Sequence, residues 1–140
     1  MALTENIKVN ITPDTTYQNR EVASGAIHFY TGAICNYNTS GYLKLGSDTA
    51  SEIFAGIAFD ELDQASGGNN GDNSLKTIAA KSGVAVKLGF TGVTIADLGK
   101  DVFVNGDDLV ALAGTTTNDV RVGSVYALTA NANEAIIVLD

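Results

Sequence analysis

LGSDTASEIFAGIAF, residues 45–59, returns later in the chain as AGTTTNDVRVGSVY, residues 113–126, once a single residue is gapped. The alignment sets Gly56 against Gly123, Ala58 against Val125 and Phe59 against Tyr126. Each copy is a turn rich in glycine and hydroxyls, then an acid, then a strand interrupted by glycine, where a bulge or a close backbone approach is expected. Either two β-hairpins resemble one another through composition alone, or the two halves repeat one hairpin unit. IFAGIAF itself, 53–59, is almost wholly apolar, which predicts a strand covered on both faces.

Outward from this stretch the pattern stays that of short strands. Upstream, AIHFY and AICNY flank a Thr31-Gly32 turn, and Thr39-Ser40-Gly41 leads into YLKL, all with hairpin-like spacing. Residues 1–22 are polar apart from the alternating Ile7, Val9 and Ile11, and Pro13 ends that alternation because it cannot donate to a ladder. An extended N-terminal arm over 1–22, carrying one short strand, is therefore expected before a β domain over 23–140. Downstream, the glycine- and asparagine-rich 63–75 reads as a variable, flexible loop. In SGVAVKLG, Val84, Val86 and Leu88 share one strand face while Ala85 and Lys87 share the other. Ala96 to Leu98 make one helical turn stopped by Gly99. Asn105-Gly106 marks a type I′ hairpin between DVFV and DDLVAL, and a TANAN turn joins VRVGSVYAL to EAIIVLD. The fold class expected is all-β: a small single-domain sandwich or barrel of short antiparallel strands.

Composition agrees and excludes several functions. A chain of 140 residues is one domain, able to bury about 68% of its unfolded surface. Its net charge is −8, and its eight Lys and Arg are dispersed, so a nucleic-acid backbone is not an expected partner. No apolar run approaches the ~18 residues of a membrane span, and MALTENIK lacks the apolar segment of a signal peptide, so a soluble chain not exported by the usual route is expected. The single cysteine, Cys35, excludes an intrachain disulfide framework and a multi-cysteine zinc site.

Candidate chemistry is sparse. GGNNGDNSL, 67–75, half-matches the calcium-binding nonapeptide of β-helix repeats at Gly67, Gly68 and Asp72, but Asn70 and Ser74 break the pattern and no tandem copy exists. The acids of FDELD lack EF-hand spacing. Neither a metal nor another cofactor is expected. Folding AIHFY onto AICNY would set His28 opposite Cys35, a Cys–His pair on paper, but Asn36 would point to the other side of the sheet and leave the pair without a third member. Asp60-Glu61 and Asp107-Asp108 read as strand-end and turn acids, not as tuned catalytic pairs. Gly99-Lys100 lacks the rest of a phosphate loop. Tyr30, Tyr37 and Tyr42 lie close in sequence, as packing residues or as a sugar-stacking platform. No catalytic residue is assigned, and no enzymatic activity is expected.

The order of FAGIAFDELD (54–63), SGVAVKLG (82–89), TIADLGKDVFVNGDDLVAL (94–112), VRVGSVYAL and EAIIVLD resembles the head decoration, or capsid cement, proteins of tailed bacteriophages, with a fainter likeness at GAICNYNTSGYLKL (32–45). The polar stretch before residue 23 matches no part of that pattern. The resemblance implies a structural protein made in the host cytoplasm and carried on the virion exterior. Its implied partners are the major capsid protein and, in a homotrimer, itself; it brings no catalytic residue. Physics adds Ile7, Val9 and Ile11 as candidate capsid contacts, because an alternating segment can extend a neighbouring sheet. The alternative expectation is a carbohydrate-binding β module on a particle or cell surface.

Overall fold

The computed structural model describes residues 16–140. Twelve strands follow one another: β1 (Tyr17–Glu21), β2 (Ile27–Phe29), β3 (Ile34–Tyr37), β4 (Leu43–Leu45), β5 (Ile53–Ala58), β6 (Leu62–Gln64), β7 (Ser74–Ala79), β8 (Ala85–Gly89), β9 (Asp101–Val104), β10 (Val110–Ala111), β11 (Arg121–Leu128) and β12 (Glu134–Val138). The chain is all-β, as its alternation dictates. Among the described residues the one helical turn is a 3-10 turn at Ile95–Asp97, within a residue of the expected place.

The strands form two five-stranded sheets with spatial orders β1-β7-β5-β3-β4 and β8-β12-β11-β9-β10, plus a two-stranded ribbon, β2-β6. All named pairings are antiparallel. Numbered within each sheet by chain order, both follow first-fifth-fourth-second-third. The similarity of 45–59 to 113–126 is thus part of a larger duplication in which β5 and β11 are the equivalent central strands. Further details repeat: an isolated parallel bridge joins Val22 to Leu43 in the first unit, and Gly89 to Leu109 in the second.

Each central strand is bulged at its glycine. The β3–β5 register shifts opposite Gly56, and the β9–β11 register shifts between Arg121 and Gly123. A Cβ on Gly56 would collide with the carbonyl oxygen of Ile78 in β7, and one on Gly123 with that of Val138 in the equivalent β12. The extra residue resets the alternation. Phe54 and Ile57, three apart, consequently face the core shared by the two sheets, while Ala55 and Ala58 face the core under the ribbon. The expectation that β5 is covered on both faces is met for that reason.

The duplication also orients the layers. Ala55 and Ala58 align with Val122 and Val125, so these positions mark the inner face of each unit. The inner face of the first sheet, with Cys35, Leu43 and Leu75, is capped by Phe29 of the ribbon. The inner face of the second, with Val102, Val104 and Ile137, is covered by Ile34, Phe54 and Ile57 from the outer face of the first. The units therefore stack head to tail. The outer face of the second would accept a third unit, but Arg121 stands where the first has Phe54, and Ser124 where it has Ile57. Arg121 bonds Asp101 at 3.0 Å and Asp140 at 2.9 Å, and Ser124 Oγ donates to Asp140 at 2.8 Å. A polar outer face terminates a stack of repeats.

Two expectations need correction. Residues 17–22, expected within the arm, belong to the domain: β1 pairs with β7 over its whole length, Tyr17 packs edge-on against Phe59 at 4.9 Å, and Val22 is fully buried. The short polar run of YQNRE hid a strand held by its ladder together with the Tyr17–Phe59 contact and the Arg20–Tyr37 hydrogen bond. The hairpin at Asn105-Gly106 exists, but its turn spans residues 105–109, closed by the Asn105 N–H donating to the Leu109 carbonyl at 2.9 Å. The longer turn delivers the Asp107 carbonyl to the Ile34 N–H of the first unit at 2.8 Å.

Gly123→Ala is expected to destabilise the fold by about 1–3 kcal/mol, because backbone must move to admit one methyl, lowering the melting temperature by roughly 2–10 °C in thermal denaturation. The double change Arg121→Phe, Ser124→Ile is expected to make the outer face of the second sheet adhesive, with light scattering showing concentration-dependent end-to-end association absent from the parent chain.

Candidate functional site

The sequence candidates fall on the glycine loop and the ribbon end, and a third group of polar contacts lies at the seam between the units.

The loop following β6 is tied down, contrary to the flexible connection expected for 63–75. Gln64, almost fully buried, donates through Nε2 to the carbonyls of Ala23 at 3.0 Å and Gly25 at 2.7 Å, and its Oε1 accepts from Asn73 Nδ2 at 2.8 Å. The Gly71 N–H donates to the Val22 carbonyl, the Gly25 N–H to that of Gly68, and the Ser24 N–H to Asn70 Oδ1. Asp72, the one acid of the calcium-like nonapeptide, accepts the Asn69 N–H at 2.9 Å and so closes the loop on itself. Among the described residues no group of His, Cys, Asp or Glu side chains converges as a metal site. A buried glutamine satisfied by backbone partners across the fold leaves no signal in sequence spacing.

The His28–Cys35 pairing is also corrected. β2 pairs with β6, not with β3, so His28 lies opposite Asp63 and Cys35 opposite Leu45 and Gly56. The Thr31-Gly32 turn does not fold a hairpin; it carries the chain from ribbon to sheet, with the Gly32 N–H on the Ala58 carbonyl at 2.8 Å. Burial pushes the Cys35 thiol up to about 12, against a partial offset from the Ala58 N–H, so no thiolate forms at neutral pH. Asn36 is fully buried and donates to the Ser47 carbonyl and to Glu52, whose carboxylate holds Lys44 at 2.9 Å. These groups buttress the sheet.

His28 instead belongs to an exposed cluster. Its Nε2 lies 2.7 Å from Glu61 Oε2, and its ring stacks on Tyr30 with centroids 4.0 Å apart and an interplanar angle of 19°. Glu61, expected as a solvated strand-end acid, thus has a partner. The three tyrosines serve three places: Tyr30 is 61% exposed beyond the ribbon, the Tyr37 hydroxyl accepts Arg20 Nε at 2.7 Å, and Tyr42 sits in the connection from β3 to β4, where its backbone N–H donates to Asn38 Oδ1. His28 and Tyr30, two apart on an extended segment, were open to discovery from alternation alone; their stacking was not.

At the seam, Asp48 of the first unit accepts the N–H groups of Thr117 at 2.7 Å and Asn118 at 2.8 Å, and its carbonyl accepts from Asn118 Nδ2. These amides hold the Asp48 carboxyl below the usual carboxylate range. The contact joins the two turns that the duplication makes equivalent.

The edges matter for partners. β1 and β4 bound the first sheet, and β8 and β10 the second. Ile53, Ile95 and Tyr126 are exposed apolar side chains. Ile7, Val9, Ile11 and Pro13 lie outside the described residues. No helix among the described residues is long and apolar enough to cross a membrane. No protein-family model, curated protein or solved structure matches the chain.

Gln64→Ala is expected to cost about 1–3 kcal/mol, the penalty for stranding buried carbonyls, and to open 65–73 to limited proteolysis, whereas a calcium chelator is expected to leave the melting temperature unchanged.

Proposed function

We propose that this protein is a structural virion component that binds the outside of an assembled phage head as a homotrimer and stiffens the lattice of the major capsid protein. The observation that carries the reading is the edge strand β1. Its inner side is laddered to β7, among the described residues it has no neighbour in the sheet on its other side, and the segment with Ile7, Val9 and Ile11 precedes it in the sequence, beyond Pro13. An edge strand preceded in sequence by an alternating apolar segment suits strand addition to a neighbouring subunit.

Further support comes from the motifs of the decoration-protein resemblance, which fall on successive elements: FAGIAF on β5, SGVAVKLG on β8, ADLGKDVFV on the 3-10 turn and β9, VRVGSVYAL on β11 and EAIIVLD on β12. Each arm supplies modest energy, about 1.5–3 kcal/mol per buried aliphatic side chain before an ordering cost of similar size. Three arms acting together make attachment firm.

Truncating residues 1–12 is expected to leave melting nearly unchanged and to reduce occupancy on assembled heads, read by co-sedimentation, about tenfold or more, the equivalent of roughly 1.4 kcal/mol per decade. Full-length protein that never associates with heads, or a monomer both in solution and on the shell, overturns the reading.

A further inference from the structure

The loop that leaves the ribbon, 30–33, lies against the end of β8 and the β9–β10 connection, so the two units meet in a cleft. The approach is close: a Cβ on Gly89 would collide with the Asp108 carbonyl oxygen, and the Ile34 N–H donates to the Asp107 carbonyl. The resulting concavity of about 330 Å³ is lined by Tyr30, Gly32, Lys87, Gly89, Asp107 and Asp108, at the low end of small-ligand sites, which favour junctions between structural units.

The lining combines a fixed aromatic plate with unspent polar groups. Tyr30 is backed on one face by His28, itself held by Glu61, yet remains 61% exposed. Among the described residues, neither the Tyr30 hydroxyl nor the carboxylates of Asp107 and Asp108 make a side-chain hydrogen bond or ion pair. Lys87 has only Glu134, at 3.9 Å. A large aromatic surface left in water beside idle acceptors and a donor is a complementary surface waiting for an amphipathic ligand.

We propose that this cleft binds an uncharged pyranose unit of a glycan. A pyranose has one apolar face of C–H groups, which stacks on Tyr30, and equatorial hydroxyls, which donate to Asp107 and Asp108 and accept from Lys87. Charge selects against acidic sugars: Asp107 and Asp108 outnumber Lys87, and the chain carries −8 overall. A single shallow subsite gives a dissociation constant of about 1 mM, which several copies on one particle would raise to useful avidity. The inference stands apart from the capsid reading, since it uses neither the arm nor β1.

The test is a titration of the isotope-labelled full chain, followed by amide NMR, with methyl glycosides of glucose, galactose, mannose and N-acetylglucosamine and with methyl glucuronide, each to about 50 mM, well above the expected constant. At least one neutral glycoside is expected to shift the amides of Gly32, Lys87, Gly89 and Asp108 in a saturable way. Tyr30→Ala, at an exposed position that leaves melting intact, is expected to weaken binding tenfold or more; Tyr30→Phe keeps the stack and retains it, and Asp107→Asn weakens it several-fold. No saturable shift with any neutral glycoside, a preference for the glucuronide, or full binding by Tyr30→Ala overturns the proposal. Head occupancy of Tyr30→Ala, expected unchanged, separates this outcome from that of the capsid reading.

Discussion

Two glycines set the architecture. A backbone carbonyl, from Ile78 in one sheet and Val138 in the other, occupies the space where a side chain on Gly56 or Gly123 would sit. That approach forces a bulge in each central strand, and the bulge changes which residues face which side. Without it, Phe54 and Ile57 would fall on opposite faces and the first sheet would offer no continuous apolar outer surface. The shared core between the sheets, the larger of the two clusters among the described residues, follows from that local displacement.

The same displacement explains why two copies of one unit assemble as a finite object. Repeats that stack head to tail have no intrinsic end, so each exposed face needs its own device. The ribbon, with Phe29 driven into the inner face of the first sheet, closes one side. Arg121 and Ser124, bonded to Asp101 and Asp140, close the other. The Arg121 guanidinium is strengthened as a cation by those hydrogen bonds, Asp101 foremost. Exposed ion pairs contribute little stability; their role here is to keep a sheet face soluble.

The seam between units is where chemistry accumulates. Loops from the first half meet loops from the second, and backbone groups that neither half satisfies alone are satisfied across it: Ile34 with Asp107, Asp48 with Thr117 and Asn118. Tyr30 stands at the rim of that junction, pinned by His28.

Alternation and glycine placement are local properties of the chain, so the all-β class, most strand positions, both central glycines and the first trace of duplication are legible in its residues. Alternation also separated Val84, Val86 and Leu88 from Ala85 and Lys87. Partnership between elements is settled by closure of the chain in space. β1 has no apolar signature, yet its ladder with β7 and the packing of Tyr17 place it in the sheet; β2 pairs with β6 and not with its apparent hairpin partner, with Phe29 buried against the first sheet. The 63–75 segment reads as slack in composition, yet Gln64 reaches across 41 residues to Ala23 and binds it. Hydrogen bonds between residues far apart in the chain have no period to detect, so strand pairing, the tied loop and the cleft at the seam emerge only when the backbone is closed in space.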